Sequence, residues 1–309
     1  MPMRMKPRVL ALCLAFAPLG ALAAASSSTV QPWTPVGVSS DLFESHPAFD
    51  PRTGELYFVR SSKAFSGWRI LQSHCDGGRW SNPVPASFAA PGAEADPWFT
   101  PDGRSVYFIS TRATGSMKSK DLDIWRADRA ADGRWKAPVR LPAPVNSDEA
   151  EWFPRVGPDG WLYFGSNRPG GLGKNDIWRA RETKPGQWIV ENAGPAINTA
   201  GDEYEPLPSP DGKRLIVMAD GGLYESRLSS NGWLPRIKLG PDINVNGSEI
   251  GALFSPSGKT LVFARDTGEP RSGEFFAWHI EGHEAWPPPC GAAATMDGAG
   301  RTNAPARNE

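Results

Sequence analysis

The chain has 309 residues, is 39% hydrophobic and 10% aromatic, and sets 33 basic against 34 acidic side chains for a formal net charge of −1. That apolar and aromatic content can build a packed core, which excludes wholesale disorder, and the balanced charge supplies no basic field for phosphates or anionic lipid, which removes nucleic acid from the expected partners. Thirteen Trp, 33 Gly and 31 Pro point to many short strands joined by turns, because Gly and Pro punctuate a chain and aromatics suit pleated surfaces.

In chain order, Arg4, Lys6 and Arg8 precede the apolar run "VLALCLAFAPLGALA" and the small residues "ALAAASSS", the pattern of a secretory signal peptide over residues 1–25. The run is short for a membrane span, and no later stretch approaches about 18 consecutive apolar residues, so the mature chain is expected to lack a transmembrane segment and to be periplasmic or secreted. Cys13 lies within the run behind Leu12, where a lipoprotein site calls for a small residue. The two cysteines beyond it, Cys75 and Cys290, are a candidate disulfide pair in an oxidising compartment.

From residue 30 to residue 290 one unit recurs. The segments "ESHPAFDPRTGELYF", "EADPWFTPDGRSVYF", "EWFPRVGPDGWLYF", "EYEPLPSPDGKRLIV" and "EIGALFSPSGKTLVF" start at Glu44, Glu94, Glu151, Glu203 and Glu249. Each Glu lies seven residues before Pro51, Pro101, Pro158, Pro210 or Pro256, and a Pro follows the Glu by three, except where Ala252 stands. The later prolines are spaced by 50, 57, 52 and 46 residues, a period at which each unit hides its apolar face only against its neighbours.

Within a unit, "PDG", "PSG" or "PRTG" separates two short hydrophobic runs, the signal of a tight hairpin. A third strand follows as "GWRILQS", "DIWRA" (twice), "GLYESRL" or "FFAWHI", and a fourth begins at Trp80, Trp135, Trp188, Trp233 or Trp286. Four antiparallel strands per unit of about fifty residues predict an all-β, five-bladed β-propeller of four-stranded blades, with six blades as the alternative. Trp33 makes a sixth copy of the fourth strand, and the prolines of "WPPPC" cannot donate to a ladder, so Trp33 to Val38 is expected to complete the last blade. Cys75 and Cys290 would then face each other across the closing seam. The segment "GAAATMDGAGRTNAPARNE", residues 291–309, has no periodicity and reads as a disordered tail.

With "GPDGWLYFGSNRPGGLGKNDIWRA" at residues 157–180 as its fullest copy, the repeat resembles that of the TolB-like or WD-repeat-like propellers over about residues 33–286. The resemblance implies toroidal packing about a central channel, an exported location and use as a binding platform. TolB proteins carry a separate N-terminal α/β domain, and relatives fused to OmpA-type domains bind peptidoglycan. Neither addition fits in this chain, so those particular functions are not carried over.

The five recurring Glu residues are expected at the channel, where carboxylates ~8 Å apart would repel by roughly 2 kcal/mol per near pair at an effective dielectric of ~20. Arg60, Arg112, Arg168 and Arg265 lie in register to neutralise four of them, a structural role. The functional alternative is a channel-mouth site for a metal ion, a sugar or a cationic peptide. Its candidates are Glu44, Glu94, Glu151, Glu203 and Glu249 together with His46, Asp96 and Glu205, which stand two residues after their Glu and so share its strand face. No cofactor is predicted, and if a cation is held, calcium suits an oxygen-only cluster.

Three functions follow. The first is an exported platform binding a protein, small molecule or carbohydrate at the channel mouth or rim loops. The second is a carbohydrate-active hydrolase of the same architecture with Glu94 and Glu151 as its carboxylates, against which stands the repeat symmetry, since such enzymes need carboxylates in distinct surroundings. The third is a scaffold in an envelope complex. The sequence has no GxSxG nucleophile motif. "HIEGH" at His279 to His283 offers a weak metal face, and "VNSDE", "INTAGDE" and "INVNGSE" place an Asn five residues before Glu151, Glu203 and Glu249, where Asn stabilises a crossover turn.

Overall fold

A computed structural model describes residues 29–114, 121–268, 273–282 and 284–290. The expected signal peptide over residues 1–25, the expected tail 291–309 and His283 lie outside the described residues. Every element described is a β-strand, and none of the described residues forms a helix long and apolar enough to cross a membrane.

The protein is a five-bladed β-propeller. The innermost strands are Phe43–Phe49, Glu94–Phe99, Glu151–Val156, Glu203–Pro208 and Ile250–Phe254. Each touches the next, and the fifth touches the first, which closes a ring about an axis. The second strands are Leu56–Ser61, Ser105–Ser110, Leu162–Ser166, Arg214–Ala219 and Thr260–Arg265, and the third Arg69–Ser73, Asp123–Asp128, Asp176–Lys184, Gly222–Ser229 and Glu274–His279. Between the first two strands of every blade the turn glycine (Gly54, Gly103, Gly160, Gly212 or Gly258) has φ of 63–77°, a left-handed conformation that costs glycine little. The apolar runs of the second strands, with Phe58, Phe108, Phe164 and Phe263 all fully buried, fill the space between blades.

The outer strands depart from the expectation. Only in blade 3 does the long outer ladder strand begin near its Trp, as Gln187–Asn192. In blades 1, 2 and 4 the ladder strand is Val84–Pro85, Val139–Arg140 or Ile237–Lys238. Trp80, Trp135 and Trp233 instead pair with the extension of the third strand, at Cys75, Arg129 and Leu228. Pro83, Pro138 and Pro235 explain this, since a residue without an N–H interrupts the ladder and the strand resumes beyond it. Blade 3 has no proline there.

The N-terminus completes blade 5, through Thr29–Trp33 paired antiparallel with Phe275 to His279. Trp33 to Val38 was the expected span. Val38 is needed elsewhere: it is fully buried in the turn that leads into blade 1, where its N–H donates to the Pro35 carbonyl. Pro32 is tolerated in the closing strand because that strand is an edge. The sixth Trp therefore closes the fifth sheet, and six blades do not form. Cys75, in the outer hairpin of blade 1, and Cys290, just past blade 5, form a disulfide across this seam with Cα atoms 5.3 Å apart.

Candidate functional site

The recurring Glu residues are built into the frame. All five are fully buried. Each accepts a backbone N–H from the residue four before it: Ser40 (3.2 Å), Ala90 (3.1 Å), Ser147 (3.2 Å), Thr199 (2.9 Å) and Val245 (2.8 Å). Each also pairs with one arginine, in the order Arg60, Arg112, Arg168, Arg236 and Arg265. The same guanidinium donates to the carbonyl six residues before the Glu, on Val38, Phe88, Val145, Ile197 or Ile243. Glutamate and arginine thus clamp every crossover loop to the blade it enters, and the carboxylates do not form a shared acidic ring. The Arg236 partner of Glu203 was not legible, because blade 4 has Asp220 and Gly221 after its second strand where blades 2 and 3 have an arginine. Arg236 reaches in from just before the outer strand, a position without a repeated signal.

The asparagines act alongside these clamps. Asn146, Asn198 and Asn244 each accept the N–H of Ile124, Ile177 or Leu223 at 2.7 Å and donate back to that residue's carbonyl. They bridge to the third strand of the preceding blade, and Asn146 and Asn244 also hold their own crossover by donating to the Leu141 and Leu239 carbonyls at 2.8 and 2.9 Å.

The residues two after each Glu behave differently. His46, Asp96, Phe153, Glu205 and Gly251 have φ of 49°, 58°, 54°, 54° and 65°. At each of them the pairing between first and second strands slips by a bulge. The recurring Pro follows at once, and its missing N–H costs nothing where the ladder is already broken. The bulge overturns the expectation that these residues share a face with their Glu, since a left-handed residue breaks the two-residue side-chain period. The Glu turns toward its loop while the second residue turns into the channel.

Contacts between non-adjacent blades show that they meet there. His46 of blade 1 places Nε2 3.2 Å from Glu205 Oε1 of blade 4 and stacks on Phe153 of blade 3 at 5.4 Å between centroids. The same Nε2 is 3.5 Å from Asp96 Oδ1. Asp96 Oδ2 accepts the Phe153 N–H at 3.0 Å, and Glu205 Oε2 accepts the Gly251 N–H at 2.6 Å. Gly251 is required, because a Cβ there would lie 2.5 Å from the His46 backbone nitrogen. Arg155, also buried, donates to the carbonyls of Asp96 (3.2 Å) and Pro154 (2.9 Å). The structure therefore brings His46, Asp96 and Glu205 together and leaves Glu44, Glu94, Glu151, Glu203 and Glu249 in their separate clamps. Arg155 was missed although a signal existed. Four residues after each Glu the sequence reads Ala48, Trp98, Arg155, Leu207 and Leu253, a column with a single charge.

Beside this cluster a cleft of about 60 Å³ is walled by Phe65, Trp68, Trp152 and Phe153, with His46 and Asp96 at its floor. Phe65 is 40% exposed. Trp68 packs on Trp152 at 6.1 Å, and Phe65 on Trp68 at 5.5 Å. Asp96 Oδ1 is buried without a hydrogen-bond partner. A larger open groove of about 440 Å³ lies near the hairpin turns of blades 1 and 2, lined by Arg52, Arg104, Arg129 and Asp128. Arg129 there is committed to Asp50. His279 of "HIEGH" contacts Thr260 at 3.3 Å. The described residues hold no group of three or more His, Cys, Asp or Glu side chains arranged to bind a metal ion.

Burial pushes the Asp96 carboxyl up to about 6, against the opposing pull of His46 and Arg155. Its folded form then holds a proton at pH values where the unfolded form has lost it. Stability is accordingly expected to rise as pH falls from 7 toward 5, by about 1 kcal/mol at pH 5. Asp102, Asp132 and Asp211, held below the usual carboxylate range by their hydrogen bonds, oppose this only in more acidic solution. Urea midpoints at the two pH values check it: Asp96→Asn should flatten the slope, and a wild-type protein less stable at pH 5 than at pH 7 would contradict it.

No protein-family model matches this chain, and neither does any curated protein sequence. Solved structures do. Zg3597, a family 117 glycoside hydrolase from Zobellia galactanivorans, superimposes with a TM-score of 0.53 at 11% identity, over 84% of this chain and 93% of that one. TolB from Acinetobacter baumannii matches with a TM-score of 0.45 at 20% identity, over 80% of this chain. This chain spans only 57% of that TolB. The periplasmic gluconolactonase PpgL of Pseudomonas aeruginosa matches with a TM-score of 0.43 at 15% identity, over 83% of this chain and 84% of that one. At these identities the likeness is one of fold.

Proposed function

We propose that this chain is an exported binding platform that engages its ligand or partner at the channel mouth. The observation that carries the reading is the cleft walled by Phe65, Trp68, Trp152 and Phe153 over His46 and Asp96. Aromatic walls with a few placed polar groups are the usual build of a recognition site. Export rests on the N-terminal pattern and agrees with a Cys75–Cys290 disulfide, which persists in an oxidising compartment. We do not place hydrolysis on Glu94 and Glu151. Both are fully buried: Glu94 spends its oxygens on Arg112, Ser110 and the Ala90 amide, and Glu151 gives Oε1 to Arg168, Ser166 and Ser147 while its Oε2 is enclosed away from solvent, so neither reaches a glycosidic oxygen or a water.

The test is a screen of glycans, peptides and chromogenic glycosides on the purified protein, repeated with Phe65→Ala and Trp152→Leu. Saturable binding without turnover, weakened at least tenfold by both substitutions, is the expected result. Binding that ignores both would move the site to the rim. Glycoside turnover would make the protein a hydrolase.

A further inference from the structure

We propose that the channel-mouth cleft is a site for a primary alkylammonium group, whose N–H donates to Asp96 Oδ1 while its carbons lie against Phe65, Trp68, Trp152 and Phe153. This rests on the channel-mouth reading above and names the chemistry that site takes.

Three observations converge on it. First, the oxygen left without a hydrogen bond is an acceptor, with His46 Nε2 3.5 Å from it. Asp96 is 1% exposed and lines the cleft, its Oδ2 is used by the Phe153 amide, and its Oδ1 has no hydrogen bond. A buried unpartnered carboxylate oxygen is costly, and a charged donor is its strongest partner. Second, two carboxylates meet in the channel and the guanidinium beside them bonds to backbone carbonyls: Asp96 and Glu205 bring the carboxylates, and Arg155 brings the guanidinium, which contacts the Asp96 and Pro154 carbonyls. The His46 ring nitrogens are engaged by Ser45 and Glu205. A bound ammonium places a cation and an N–H donor beside Asp96. Third, the cleft is lined by the aromatic side chains of Phe65, Trp68, Trp152 and Phe153. Aromatic faces attract cations through their quadrupoles.

The same chemistry is offered by a free amine and by a lysine side chain of a protein partner. Titration of the whole protein, followed by calorimetry and by indole N–H resonances, separates them. The probes are n-butylammonium, its neutral match n-butanol, tetramethylammonium, Nα-acetyl-lysine amide and Nα-acetyl-norleucine amide. Butylammonium should bind saturably and shift the Trp68 and Trp152 signals, tetramethylammonium should bind at least tenfold more weakly for want of an N–H, and butanol should not compete. Lysine amide binding as tightly as butylammonium, with norleucine amide inert, assigns the site to a protein side chain. Butylammonium binding alone assigns it to a free amine. Asp96→Asn, which keeps an acceptor for the Phe153 amide, should abolish binding with the thermal transition intact, and Phe65→Ala, on an exposed loop, should weaken it at least threefold. Equal binding of butanol and butylammonium would overturn the ammonium class and leave the channel-mouth platform standing. No saturable shift with any amine would overturn the proposal, while the wider screen still judges the platform.

Discussion

Glu94→Ala is expected to destabilise the protein by about 3–5 kcal/mol, the range for breaking a buried ion pair by removing one member. The size follows from what is stranded. Arg112 is 9% exposed and lies over Phe108 and Trp125 at 4.8 and 5.3 Å, so without Glu94 a cation remains in an apolar pocket. The Ala90 amide and the Ser110 hydroxyl lose their acceptor as well. Glu44→Ala is the internal comparison. Its partner Arg60 is 21% exposed, can turn toward water, and should leave the smaller loss. Urea unfolding of both variants, with wild type alongside, reads the difference. A loss below about 1 kcal/mol for Glu94→Ala would mean that the clamp is dispensable and would return that carboxylate to the ligand candidates.

How much of this was legible in the sequence depends on the range of each signal. The blade was readable because its causes are local: proline, Asp or Ser, and glycine in a hairpin turn, then alternating apolar residues, repeated at a near-constant interval. The arginines of blades 1, 2, 3 and 5 were readable because they recur in register with their Glu. Arg236 was not, because only folding brings it to Glu203. The orientation of His46, Asp96 and Glu205 failed for a different reason. A period of two was applied through a position where the backbone takes positive φ, and nothing in one copy of the repeat announces the bulge. The proline after it was the available clue, since five inner strands should not tolerate four prolines unless the ladder is already interrupted there. The aromatic walls of the cleft were hidden for a third reason: Phe65 and Trp68 come from a loop of blade 1, Trp152 and Phe153 from blade 3, and only ring closure brings them together.

Ring closure also sets the second large effect, which concerns Cys75 and Cys290. The bond joins residues 215 apart in sequence, and a chain-entropy treatment of a loop that long gives about 5 kcal/mol of stabilisation. The remaining seam is modest. Five residue pairs join Thr29–Trp33 to the last blade, and Phe49 packs on Trp33 at 5.9 Å and on Trp286 at 5.7 Å. Every one of these contacts links chain ends that are free to diffuse apart once the seam opens, whereas contacts inside a blade are between near neighbours. Replacing both cysteines by serine is therefore expected to lower the melting temperature by roughly 10–20 °C. Hydrogen exchange should show Thr29–Trp33 and Glu274–His279 losing protection before the inner strands of blades 2 to 4, because opening begins where sequence separation is greatest. A melting temperature unchanged within a degree or two would show that strand exchange alone holds the ring. Uniform loss of protection across all five blades would show that the propeller opens as one unit with no weak point at its seam.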